Sequence, residues 1–237
     1  MEEKTKGILL SGVNYGENDK IISVFTLEKG IISAKIKGVK KAGAKLKFAS
    51  EPFCFAEYLF SKNQSKRTVI GASLVDSFYP IRNDIKKLYS AFAAIEFVKN
   101  FFKEEIIAQE LFLELVSALK DLAYSKKTER CVLLSFIIKA LKYSGYALNL
   151  SGCACCEKSI ENRAFFNAET GSFYCEKCFN SNGREIDVNT LNALIKIFNG
   201  QEIEDKDCVR PLKLIHFYVT TITEENFPSL KFLIELG

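Results

Sequence analysis

Apolar and polar residues alternate with a period of two over the first 80 residues, and with a period near 3.6 beyond them. Segments 8–10, 20–27 and 30–37 read as strands rich in β-branched residues, with Glu28-Lys29-Gly30 as the turn between the second and third. Segments 53–60 and 68–75 supply two more, joined by the polar loop 61–67. Five short strands in so little chain predict a small closed barrel of the OB type. In the third strand Ile32, Ala34 and Ile36 fall on one face, and Ser33, Lys35 and Lys37 on the other.

Pro80 marks a boundary. Ile85, Leu88, Phe92, Ile95 and Val98 then recur at helical steps, with Asn83 or Asp84 as N-cap. A second helix is expected over about 107–123 through Leu111, Leu115, Leu119 and Leu122, and a third over about 129–142, stopped by Gly145. The three are expected to pack on one another, since none is long enough to be stable alone in water. Two short strands, 163–167 and 172–174, flank a turn, and helices over about 188–199 and 211–224 follow. The expected organisation is α+β and multidomain: an OB-type barrel (1–80), the first part of a helical domain (81–150), an inserted cysteine module (151–183), and the C-terminal part of the helical domain (184–237).

Composition narrows this picture only a little. A hydrophobic content of 48% and a charged content of 26% over 237 residues suit a water-soluble globular chain. No apolar run approaches a membrane span, and the first residues, MEEKTKG, lack the apolar stretch of a signal peptide. A cytoplasmic location is therefore expected, where cysteines stay reduced and metal binding is favoured over disulfides.

Charge adds more through its placement than through its net value of +4. Lys35, Lys37, Lys40, Lys41, Lys45 and Lys47 follow one another without an intervening acid. Such a cluster sets up a local positive field suited to a phosphate backbone, although a solvated lysine-rich loop has the same composition. Tyr15 and Phe48 flank the region, either as bases' stacking partners or as part of the barrel core or rim.

The cysteines carry the sharpest chemical signal. Cys153 and Cys156, and Cys175 and Cys178, form two C-x-x-C pairs separated by 18 residues. Each pair lets two thiolates reach one ion from a tight turn, and four sulfurs satisfy a tetrahedral Zn²⁺. Four protein ligands leave no open position, so a structural ion is expected. Reduced thiols or one redox-active pair is the alternative, and Cys155 competes with Cys156 as a ligand. Cys54, Cys131 and Cys208 lie in apolar stretches and read as small core residues.

Catalytic signatures are missing. The one histidine, His216, lies in an apolar helical stretch, and no glycine-rich phosphate loop occurs. The acidic residues are scattered and read as exposed helix-end charges, so no catalytic residue is assigned.

The ordered set of segments resembles the bacterial DNA repair and recombination RecO family. Tyr15-Gly-Glu-Asn-Asp-Lys20, Ile21-Ile-Ser-Val-Phe-Thr26 and Lys29-Gly-Ile31 are similar to the family's opening strands, and Lys37-Gly-Val-Lys-Lys41 to its basic loop. Phe78-Tyr-Pro-Ile-Arg82 resembles the entry to its helical domain, and Leu141-Lys-Tyr-Ser-Gly-Tyr146 the approach to its cysteine module. The resemblance covers most of the chain and is thinnest after about residue 185.

It implies an OB barrel, a helical domain and, as in many members, a zinc-binding insert. It further implies binding of single- and double-stranded DNA and annealing of complementary strands. With RecR, such a protein helps RecA replace single-stranded-DNA-binding protein. Lys37, Lys40 and Lys41 fall on the basic loop, and the four paired cysteines on the metal positions. The chain departs from the pattern at Glu157, where a glycine is more usual, and in the extra Cys155. Some relatives lack the cysteines, which implies a structural role for the metal. The acidic tail of single-stranded-DNA-binding protein would suit an apolar groove with basic edges, for which Lys86, Lys87, Lys139 and Lys142 are candidates. An adaptor working through its helices is the competing reading.

Overall fold

The alternating segments become five strands: β1 (Glu2–Tyr15), β2 (Asp19–Thr26), β3 (Gly30–Ile36), β4 (Phe55–Asn63) and β5 (Lys66–Asp76). They close into a barrel in the order β1-β2-β3-β5-β4, with β1 paired to β4. This is an OB-like barrel. All pairings are antiparallel except the short parallel one between β3 and β5. The computed structural model describes residues 2–64, 66–180 and 183–236. The barrel is filled by Ile22, Val24, Ile32, Ala34, Ile36, Tyr58, Phe60 and Val69. Burial alternates along β3 as the sequence pattern requires, with Ser33 outward.

β1 is longer than its apolar core. Its extra residues bury Glu3 and Thr5, polar positions that hide the strand from a hydrophobicity pattern. Glu3 is satisfied there by Arg67 at 3.2 Å and Lys29 at 3.4 Å. An irregularity between Leu9 and Ser11 lets the one strand serve two neighbours.

The remaining elements are α1 (Ile85–Phe101), α2 (Gln109–Tyr124), α3 (Glu129–Tyr143), β6 (Arg163–Asn167), β7 (Ser172–Cys175), β8 (Arg184–Asp187), α4 (Val188–Phe198), α5 (Asp205–Thr223) and α6 (Pro228–Glu235). The chain forms two compact units. One is Met1–Ile81 with Phe102–Ala123, and the other is Arg82–Phe101 with Tyr124–Gly237. This corrects the expectation that the first three helices pack together. The apolar stripe of α2 serves the barrel unit, where Phe112 meets Phe25 and Phe55 edge-on at 5.5 and 6.0 Å. A helical period shows that a face is buried, not what buries it.

In the second unit α1 starts where the sequence indicates. Asp84 Oδ1 accepts from the N–H groups of Lys86 and Lys87 at 2.8 and 3.0 Å. α3 stops at Gly145, whose φ of +82° needs no Cβ, and the Tyr146 N–H returns to Leu141 O. α1 and α3 pack through Phe97 on Phe136. Three features differ from expectation. β8 is a third strand paired to β6, α5 begins at Asp205 with Pro211 inside it, and α6 is an additional helix.

The start of α6 carries a titratable group. The half-buried Glu96 carboxylate of α1 accepts from the Ser229 N–H at 3.0 Å and from the Ser229 hydroxyl. Burial raises its pKa, and the Ser229 bonds only partly offset this. A raised carboxyl pKa means the folded state holds more protons than the unfolded state just above the ordinary value, so stability falls as pH rises through that window. Glu96→Gln keeps an acceptor without the charge. Its melting temperature relative to the parent is expected to be higher at pH 7.5 than at pH 4.5. Thermal denaturation at both pH values checks this, and a larger advantage at the acid end contradicts it.

Candidate nucleic-acid interface and cysteine site

The lysine-rich segment leaves β3 and is held at both ends. The Gly38 N–H donates to Asp19 Oδ1 at 2.8 Å, and the Lys40 N–H donates to Asn18 O at 3.1 Å. Val39 is buried in the barrel core, with Leu46 and Phe48 packed against the same core. Between these anchors three turns follow in series: the Lys41, Ala44 and Lys47 N–H groups donate to Gly38, Lys41 and Ala44 carbonyls. Gly38 and Gly43 take left-handed φ values of 66° and 74°, which glycine adopts at little cost. The loop is thus shaped in advance by backbone bonds and apolar anchors.

Lys37, Lys40, Lys41, Lys45 and Lys47 are exposed, and none is in an ion pair among the described residues. Lys35 differs. Its ammonium lies 2.8 Å from Asp19 Oδ2 and 4.5 Å from the centre of the Tyr15 ring. The Lys35 bond and then the Gly38 N–H hold the Asp19 carboxyl below the usual carboxylate range. Tyr15 is half exposed at 51%, and Phe48 is partly buried on the core. Asp19 is the residue sequence reasoning missed. An acid at the start of β2 is its only signal, and nothing local tells that it ties the loop.

The cysteine site is built from two turns on a small sheet of order β7-β6-β8. At the first turn the Cys153 N–H donates to Lys158 O, and the Glu157 N–H returns to Cys153 O at 2.8 Å. Glu157 takes a φ of +61°, which explains why glycine is the easier residue there. At the second, the Cys178 and Phe179 N–H groups both donate to Cys175 O at 3.1 Å. The Sγ atoms of Cys153, Cys156, Cys175 and Cys178 lie within 4.8 Å of one another, with Cys156 and Cys175 3.9 Å apart. Sulfurs about 2.3 Å from a tetrahedral ion would stand roughly 3.8 Å apart, so the set fits such an ion. Cys156 joins the cluster, and Cys155 is exposed outside it.

Burial opposes ionisation of Cys153, but the N–H groups of Cys156, Cys175 and Cys155 outweigh it and bring its thiol down to about 6. The Cys178 thiol is pushed up by its hydrogen bonds to Cys156 and Cys175. Clustered thiols cannot all ionise together without a cation among them. Behind the cluster Phe166 meets Tyr218 of α5 edge-on at 5.5 Å, and the Tyr218 hydroxyl donates to Tyr146 O.

The other expected positions are also located. Lys86 and Lys87 lie in the first turn of α1, and Lys139 and Lys142 in the second half of α3. His216 is half-buried on α5, and burial lowers its pKa. No helix among the described residues is long and apolar enough to cross a membrane.

Two family models, described as Recombination protein O N terminal and Recombination protein O C terminal, match residues 1–78 and 82–229. The chain belongs to the RecO family. It is 31% identical to a DNA repair protein RecO of Caldicellulosiruptor bescii over 82% of this chain and 79% of that relative. A RecO of Dehalococcoides mccartyi is 33% identical over 81% of this chain and 76% of its own length. A RecO of Acetivibrio thermocellus is 28% identical over 97% of this chain and 95% of its own. The boundary between the two RecO models falls at 78–82, beside the start of α1. Both candidate sites lie inside the matched regions, the lysine loop in the N-terminal model and the cysteines in the C-terminal one.

Proposed function

We propose that this chain is a recombination mediator that works without catalysis in the bacterial cytoplasm, at the nucleoid during repair. Its barrel binds single- and double-stranded DNA and anneals complementary strands. With RecR it assists RecA loading onto DNA coated by single-stranded-DNA-binding protein, whose acidic C-terminal tail docks on the helical domain near Lys86, Lys87, Lys139 and Lys142. A Zn²⁺ ion held by Cys153, Cys156, Cys175 and Cys178 makes a zinc-ribbon-like module that is structural. The observation that carries the reading is the pre-shaped loop with five exposed lysines that are in no ion pair among the described residues, set in a chain of the RecO family.

The physics of this role requires no bond making. Lys37, Lys40, Lys41, Lys45 and Lys47 neutralise phosphates, and each neutralised phosphate releases condensed counterion. Two polyanions screened in this way approach and pair. Tyr15 adds a face on which a base stacks without sequence preference. Because the loop's shape is set before DNA arrives, less ordering entropy is lost on binding.

Fluorescence anisotropy of labelled single- and double-stranded oligonucleotides, over a salt series and without nucleotide, tests the binding. Saturable, salt-dependent binding of both is expected, and absence of binding at low salt contradicts the reading. A finer prediction concerns Lys35, whose charge is already engaged by Asp19. Lys35→Ala is expected to change the log–log salt slope by less than the roughly 0.7 of a full phosphate contact on single strands. Lys40→Ala is expected to change it by about that amount. Equal effects of the two substitutions would show that the Asp19 pair opens when DNA binds.

A further inference from the structure

Two cysteines far apart in sequence meet in the second unit, away from both sites. Cys131 lies in the first turn of α3 and Cys208 in the first turn of α5. They are 77 positions apart, yet their Sγ atoms approach to 2.7 Å. That is closer than the 3.9 Å between Cys156 and Cys175 in the cysteine cluster. Both are free thiols, and both are buried, Cys131 at 7% exposure and Cys208 at 0%. A disulfide needs about 2.05 Å between sulfurs, so the two need approach by only about 0.7 Å more.

The surroundings favour reaction over inert packing. The Cys131 thiol donates to Ile203 O at 3.2 Å, and its sulfur lies against that of Cys208. The hydrogen bond from Cys208 lowers the Cys131 thiol to about 7 against the cost of burial, while Cys208 is pushed up by the same bond. Cys131 is therefore the thiol of the pair that gives up its proton more readily, and Cys208 the one that keeps it. A thiolate beside a second thiol is the arrangement of a peroxide-reactive pair. The neighbouring Arg130 and Asp205 are paired at 2.6 Å, and Arg130 Nε and Asp205 Oδ1 lack further partners among the described residues. The α3–α5 contact thus contains polar atoms that are not fully satisfied.

We propose that Cys131 and Cys208 form a dithiol–disulfide couple oxidised by hydrogen peroxide, which staples α3 to α5. The Cys131 thiolate attacks the peroxide oxygen, breaks the O–O bond and becomes a sulfenic acid, with hydroxide leaving and taking up a proton as water. The Cys208 sulfur then attacks the sulfenic sulfur and releases a second water. Two thiols are oxidised by two electrons, and one hydrogen peroxide is reduced. Small thiol reductants reverse the step.

The test uses the reduced full-length chain with its cysteine cluster loaded with Zn²⁺, exposed to hydrogen peroxide, alkylated and digested with trypsin without reduction. The expected product is a peptide pair joining residues 131–139 to 207–213, lost on treatment with dithiothreitol. The oxidised chain should melt roughly 10 °C higher than the reduced one, since the bond closes a long loop. The Cys208→Ala variant should yield no linked pair and instead trap Cys131 as a sulfenic acid, detectable with a dimedone probe. Should that variant fail to fold, the peptide map of the parent chain decides alone. Alkylation of both Cys131 and Cys208 after oxidation, or links confined to Cys153, Cys155, Cys156, Cys175 and Cys178, would overturn the proposal.

Discussion

Removing the proposed ion from the four-cysteine site, by chelation or by Cys175→Ser, is expected to unfold the segment from 151 to 187 and to cost at least about 4 kcal/mol of stability. The reason lies in how little else holds this segment. Its sheet has three strands of four or five residues, and beyond Cys153 and Ser172 its buried side chains among the described residues are few: Ile160, Ala164, Phe165, Phe166 and Phe173. Four sulfurs at contact distance also resist ionisation together, so without a cation they are an electrostatic burden rather than a bond. The loss should spread to α5 through Phe166 and Tyr218. Thermal melts with and without chelator, alongside the metal content of the purified chain, measure it. An unchanged melting curve after complete metal removal contradicts the structural role. The lysine loop belongs to the barrel unit, which supplies no cysteine to the cluster. DNA affinity and its salt slope should therefore survive Cys175→Ser better than stability does.

The second large effect is expected from Lys37→Ala, Lys40→Ala and Lys41→Ala combined. Three lost contacts should reduce the salt slope on single strands by about 2 and weaken binding on the order of 100-fold near 0.1 M salt. Stability should hardly change, because all three side chains are exposed and the backbone bonds that shape the loop remain. That separation makes the test sharp: a melting curve like the parent's with weakened, flatter salt dependence assigns the loop to DNA. Undiminished binding would move the interface elsewhere, with Lys45, Lys47 and Tyr15 the next positions to vary.

Much of the barrel was legible because its apolar positions alternate and its turns carry glycine. β1 reads short in the sequence because Glu3 and Thr5 are buried, and their partners Arg67, Lys29 and Glu28 make those positions tolerable. β8 escaped because Arg184-Glu-Ile-Asp187 offers one apolar residue, and its place is set by pairing to β6. The helical pattern shows only over about 211–224, whereas α5 begins six residues earlier and tolerates Pro211 inside. The destination of α2 was not legible at all, since its stripe fits a barrel as well as a helix. Within the sites, the lysine run and the C-x-x-C spacing are local patterns and were readable. The Asp19 tether and the Cys131–Cys208 approach depend on tertiary proximity, which local spacing does not encode.

The mediator reading stands or falls most directly on strand annealing. Labelled complementary strands, each coated with single-stranded-DNA-binding protein, are mixed with and without this protein and without nucleotide. The account predicts faster pairing with the protein, lost when Lys37, Lys40 and Lys41 are replaced together. Pairing no faster than in its absence, by a protein that still binds the bare strands, would contradict it and leave a DNA-binding module without the mediator activity.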